Sequence, residues 1–165
     1  PPARLSVAMT DDEKTGTFLV TAADEESAVL TDVDDGQVHT LATNPGVEEG
    51  EAIDGTVTPE PPLEVAWRLV DVADQWTISV EESTEAPTTL AHDLAAEQAV
   101  GELTRRDRAG TGEIHVLTVT ESDTEAAVAD VLADTEGLRS RAARLGVERV
   151  VVRSAPGVVC VRYLP

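Results

Sequence analysis

Three histidines, one cysteine and eleven arginines are the side chains of this 165-residue chain whose types suit metal, nucleophilic, acid–base or phosphate chemistry. His39, His92 and His115 stand far apart, and no CxxC, HxH or HExxH spacing accompanies them, so no zinc motif is written here. Cys160 lies inside the apolar run Val158–Val161 and reads as a small buried hydrophobe rather than a nucleophile. No GxSxG elbow presents a serine. Asp32-Val33-Asp34-Asp35-Gly36 resembles the start of a calcium loop. Position twelve counted from Asp32 is Thr43, however, and the flanks read as strands, so a hairpin turn is expected. Gly110-Thr111-Gly112 is a lone GxG followed by a strand, where a phosphate cradle would open a helix. With 32 acidic residues, carboxylate pairs arise by chance and single out no glycosidase-type site. These readings predict no catalytic residue, no metal ligand and no cofactor.

The arginines are a different matter. Arg105, Arg106 and Arg108 cluster beside a hairpin, Arg139, Arg141 and Arg144 fall in the second half of a long helical stretch, and Arg149 and Arg153 share one face of a strand. If these groups converge they form a phosphate-contacting face, with RNA, DNA or a nucleoprotein as partner. The competing expectation is that they pair with carboxylates of the other lobe. The four aromatics offer no stacking platform, because alternation places Trp67 with Leu63, Val65 and Leu69, and Trp76 with Ile78 and Val80.

The elements that must position these residues form two lobes. Residues 9–82 read as a small antiparallel β-barrel of OB-like type, with strands at 15–21, 28–33, 37–41 and 52–58. A last hairpin is expected between 63–71 and 76–81. A polar linker follows at 83–89, and residues 90–165 read as an α+β lobe of order α-β-β-α-α-β-β. Thr88 or Thr89 is the expected cap of its first helix. Ser122-Asp123-Thr124-Glu125 forms a capping box, an apolar face at helical spacing follows through Leu145, and Gly146 is placed as a C′ glycine. Residues 1–8 are expected to be a disordered extension, since Met9 is a plausible start.

Composition sets the surroundings. The net charge is −20, Lys14 is the sole lysine, and 41% of residues are hydrophobic, too many for a disordered acidic tail. No apolar run is long enough to span a membrane, and one cysteine rules out a disulfide scaffold. Acids spread along the chain suit a salt-rich cytoplasm, where screening lengths fall to about 3 Å at 1 M salt. The charge is uneven: residues 9–89 hold twenty acids and two bases, net −18, and residues 90–165 hold twelve acids and nine arginines, net −3.

The segments TGTFLVT, AVLTDVDDGQVHTL, NPGVEEGE, AGTGEIHVLTV, ARLGVERVVVR and VRYLP resemble a haloarchaeal family of uncharacterised acidic proteins, a domain of unknown function, over Met9–Pro165. That resemblance implies a lineage and no catalytic residues. The expectation is therefore a cytoplasmic, non-enzymatic binding or adaptor module whose C-terminal lobe contacts nucleic acid. The alternatives are an enzyme with an interlobe pocket using His92 or His115, and a scaffold that binds only proteins. No membrane partner is expected.

Overall fold

The computed structural model describes residues 13–61 and 65–165 of the chain. The expected extension at 1–8, and Leu63 at the start of an expected strand, lie outside the described residues. The chain divides into two compact units, Pro1–Thr77 and Ile78–Pro165, a boundary ahead of the expected linker at 83–89.

The first unit is built from β1 (Lys14–Ala23), β2 (Ala28–Asp32), β3 (Val38–Leu41), β4 (Glu51–Pro59) and β5 (Trp67–Thr77). They close into a barrel of order β1-β2-β3-β5-β4, completed by β1 against β4. The alternation that identifies the strands also fills the interior. In β2, Ala28, Leu30 and Asp32 are buried while Val29 and Thr31 are half-buried. Phe18, Val20, Leu30, Leu41, Ile53 and Val57 form the core, with Trp67 and Leu69 packed against it. The Asp34-Asp35-Gly36 hairpin forms as its residues dictate: Gly36 takes φ 76°, and Asp32 Oδ1 accepts from the Asp34 amide at 2.7 Å. The barrel is not antiparallel throughout, because β3 joins β5 in parallel at Leu41 and Trp67.

One expected hairpin does not form. Residues 67–77 are a single strand, paired along β4 from Trp67 opposite Pro59 to Thr77 opposite Glu51. Nothing in Val72-Ala73-Asp74-Gln75 supplies a glycine or proline to reverse the chain, and β4 is long enough to pair with nearly all of it. Gly55 sits at an irregularity of this ladder. A Cβ there would stand 2.4 Å from the Asp71 carbonyl oxygen, so the close approach requires glycine. The expected stripe of Trp76, Ile78 and Val80 is consequently divided: Trp76 belongs to the barrel strand, and Ile78 is buried in the second unit.

The second unit contains β6 (Ser79–Glu82), α1 (Thr89–Ala96), β7 (Leu103–Asp107), β8 (Glu113–Thr118), α2 (Thr124–Ala133), α3 (Thr135–Leu145), β9 (Arg149–Ala155) and β10 (Val158–Leu164). Its sheet has the order β6-β9-β10-β8-β7, with β6 parallel to β9 and the other pairs antiparallel. Strand β6 overlaps the strand expected at 76–81, but it pairs with β9 in this sheet rather than closing a hairpin in the barrel. Helix α1 packs Ala91, Leu94 and Ala95 on Ile114, Val116, Val158 and Cys160. Alternation places Val159, Val161 and Tyr163 on the opposite face of β10, the face that α2 and α3 approach with Val131 and Leu138. The mixed α+β unit is thus three layers, helix on both sides of the sheet.

Local chemistry sets the helix ends. Thr88 Oγ1 accepts from the Ala91 amide and caps α1, and Gly146 takes φ 72° to end α3. The Ser122 capping box is not made. A 3₁₀ turn occupies Glu121–Asp123, placing Ser122 inside the turn, and α2 starts at Thr124 with no side-chain cap from Asp123. Helices α2 and α3 meet at Asp134, whose φ of −88° and ψ of 55° end α2 while its carboxylate accepts from the Gly137 amide to start α3. Among the described residues, no helix is long and apolar enough to cross a membrane.

Candidate functional site

Strand register sorts the arginines of the second unit onto two faces. Arg106 lies opposite Ile114, Ile114 opposite Arg162, and Arg162 opposite Val151, so Arg106 and Arg162 share a row across β7, β8, β10 and β9. Arg149 and Arg153 flank Val151 on that same face, which also carries α1. Arg105 pairs with His115 and therefore faces the other way. Of the arginines on α3, Arg139 donates from Nε to the Ile78 carbonyl at 3.2 Å, and Arg141 is held by Glu113. The eight expected arginines therefore do not converge. Arg106, Arg149 and Arg153 share a face, Arg108 lies just beyond the end of β7, and the helical set and Arg105 lie elsewhere.

The arginine face is only partly neutralised. Arg153 donates to Glu85 at 2.6 Å and Arg149 to Glu81 at 3.4 Å. Both carboxylates lie in the 78–88 segment of the same unit. The Arg149–Glu81 pair leaves each side chain about half exposed, 52% and 55%, and such pairs contribute about 0–1 kcal/mol. Arg108 spans its own hairpin to the Thr111 carbonyl at 2.6 Å. Arg162, which the sequence reading did not single out, is half-buried. Burial first, and then the charges of Arg153 and Arg108, pull its guanidinium below the ordinary arginine value. Its Nε and that of Arg153 are buried without a hydrogen-bond partner. Like charges gathered on one surface create a field that favours an anion.

The opposite face carries a buried polar cluster. Glu113 and His115 stand two residues apart on β8, and their side chains meet at 2.8 Å, Oε1 to Nε2. Arg141 reaches down from α3 and donates to both Glu113 oxygens, each at 2.8 Å. Burial pushes the carboxyl up, but the His115 and Arg141 hydrogen bonds outweigh it and hold Glu113 below the usual carboxylate range. Burial pulls His115 below the ordinary imidazole value, against the pull of Glu113. The ring of Tyr163 lies 4.8 Å from that of His115, and burial pushes its hydroxyl up to about 12. His115, Tyr163 and Asp134 line an otherwise apolar cavity of about 250 Å³. The signal for this cluster in the sequence is Glu113-Ile114-His115, two polar groups at strand spacing in an apolar strand. His92, by contrast, is exposed on α1, on the far face of the sheet.

The barrel holds its own cluster around the sole lysine. Lys14 Nζ lies 2.6 Å from Asp35, 3.2 Å from buried Asp32 and 3.3 Å from His39 Nε2. His39 is fully buried, edge-on to Trp67 at 4.3 Å and to Phe18 at 5.5 Å. These two aromatics therefore serve the core, as alternation indicates. Asp24, Asn44 and Glu48 line a cavity of about 520 Å³ at another part of the barrel. Among the described residues no group of three His, Cys, Asp or Glu side chains has the geometry to hold a metal ion. Cys160 is buried, and burial pushes its thiol up, which suits packing better than nucleophilic attack.

Residues 14–154 match the model of a family described as "Family of unknown function (DUF5812)". The chain belongs to that family. The match runs from the first residue of β1 into β9, so it contains Lys14, Glu113, His115, Arg141 and Arg153. Arg162 and Tyr163, on β10, lie beyond it. The matched span is shorter than the Met9–Pro165 expected from the sequence segments. No curated protein and no solved structure matches the chain.

Proposed function

We propose that this chain is a non-enzymatic binding module of a salt-rich, haloarchaeal-type cytoplasm, and that its second unit contacts RNA, DNA or a nucleoprotein. The observation carrying this reading is the one sheet face that Arg106, Arg149, Arg153 and Arg162 share, with Arg108 at its end. The weak, exposed Arg149–Glu81 pair can exchange its carboxylate for a phosphate at little cost. Residues 78–165 hold fifteen acids and nine arginines, net −6, against seventeen acids and three bases, net −14, for residues 1–77.

The barrel contributes differently. Its strand order 1-2-3-5-4, closed by β1 on β4 with a parallel β3–β5 join, supports an OB-like reading. OB barrels that hold single strands do so with exposed aromatics and a basic groove, whereas Phe18 and Trp67 here pack inward on His39. The barrel is thus a supporting unit and the arginine face the working one. The full chain, purified at molar KCl with and without nuclease, tests this. Nuclease-sensitive absorbance at 260 nm travelling with the protein is the expected result. Material free of nucleic acid that also shifts no RNA or DNA probe overturns it.

A further inference from the structure

On the sheet face opposite the arginines lies the cavity of about 250 Å³, lined by side chains of β7, β8, β10, α2 and α3 and open on one side. Its walls are aliphatic, Leu117, Leu138 and Val159 among them. Leu103, on edge strand β7, also lines it and is 48% exposed, so the mouth opens at that edge. A 150 Å³ apolar cavity accommodates benzene, and by simple scaling this one has room for about ten non-hydrogen atoms.

The polar side of the cavity has a defined hydrogen-bond sense. Glu113 is held by Nη2 and Nε of Arg141 and, when ionised, is an acceptor only. The proton in the 2.8 Å contact therefore sits on His115 Nε2, and the neutral ring keeps Nδ1 as an acceptor. Charge in the cluster is already balanced between Glu113 and Arg141, and the Asp134 carboxylate also lines the cavity, so an anionic ligand would lose hydration and meet a like charge. We infer that the cavity binds a small neutral molecule with an apolar body and one hydroxyl group, the hydroxyl donating to His115 Nδ1. The site uses the face of the sheet that the nucleic-acid reading does not, and it stands or falls independently of that reading.

4-Propylphenol, of about the size the cavity admits, is the probe, and propylbenzene is its counterpart without the hydroxyl. Both are titrated into the full chain at molar KCl, followed through the methyl resonances of Leu117, Leu138 and Val159. The expected result is saturable shifts at these methyls, with the phenol bound about tenfold more tightly, the worth of one buried hydrogen bond. His115→Phe should erase that preference, and Leu103→Trp, at the exposed mouth, should weaken both probes. Absence of saturable shifts, or equal binding of the two probes by the unmodified protein, overturns the inference. So does a tenfold preference that survives in His115→Phe. If His115→Phe does not fold, the probe comparison on the unmodified chain and the Leu103→Trp variant decide the matter on their own.

Discussion

Replacing Arg141 by methionine isolates the energetics of the buried cluster. Methionine keeps the aliphatic length of arginine on α3 but removes the guanidinium that donates to both Glu113 oxygens at 2.8 Å. The Glu113 side chain is 12% exposed, so its carboxylate is left with His115 as its remaining hydrogen-bonded partner in the cluster. Breaking one side of a buried pair typically costs about 3–5 kcal/mol. Arg141 retains 24% exposure, and water can replace part of what is lost, which lowers the expected cost to about 2–4 kcal/mol. That is a large share of the roughly 5–15 kcal/mol that holds a domain together.

The same variant has a pH signature. Glu113 is held below its usual value, so its contribution is present above the unfolded carboxyl range and is lost as pH falls through the lower folded value. Without Arg141 the folded value rises, and acid loss should begin at higher pH than in the unmodified chain. Burial depresses His115 too, so its contribution is present above about 6.5 and also falls away on acidification. The assay is denaturant unfolding at fixed molar KCl across pH 4 to 8, with Glu113→Leu and Arg141→Met/Glu113→Leu completing the double-mutant cycle. The double variant should recover part of the loss, because it removes the stranded charge. A loss under about 0.5 kcal/mol for Arg141→Met, or a double variant less stable than the single, would refute the reasoning.

Three further outcomes follow from the geometry. Gly112 takes φ 110°, and a Cβ there would lie 2.1 Å from the Tyr163 carbonyl, so Gly112→Ala should lower the thermal midpoint of the second unit by several degrees, a cost above about 1 kcal/mol. Lys14→Met leaves buried Asp32 without its ammonium partner, and unfolding followed by the fluorescence of Trp67 and Trp76 should show the barrel weakened by about 1–2 kcal/mol. With a net charge of −20, the chain should unfold or lose cooperativity by circular dichroism when dialysed from molar KCl into salt-free buffer. A fully cooperative transition there would contradict the salt-rich reading.

What the sequence revealed and what it concealed divide along physical lines. Local signals were legible: Thr88 capping α1, Gly146 ending α3, and the Asp34-Asp35-Gly36 turn each depend on a few neighbouring residues. Strand alternation likewise placed Phe18 and Trp67 inside. The failures came where a distant partner decides the outcome. Residues 67–77 stay one strand because β4 pairs along them, and β6 joins β9 from seventy residues away. The arginines could not be sorted by sequence because register, not clustering, assigns faces. Neighbours Arg105 and Arg106 go to opposite sides, and Arg162 joins Arg106 through Ile114. The Glu113–His115 pair was visible as a spacing, but Arg141, which fixes its chemistry, arrives from a helix 28 positions further on.

The central claim is that the arginine face binds a nucleic-acid backbone, and its most direct measurement is fluorescence anisotropy of a labelled single-stranded RNA titrated with the full chain at graded KCl. Affinity should fall with rising salt, with a log–log slope of about −0.7 per phosphate engaged. Arg106→Gln/Arg149→Gln should flatten that slope by about 1.4, two contacts' worth. Arg68→Gln, an exposed arginine on barrel strand β5, should leave it unchanged. No binding at any salt where the protein is folded, or a slope that Arg68→Gln changes as much as the double variant does, would contradict the account.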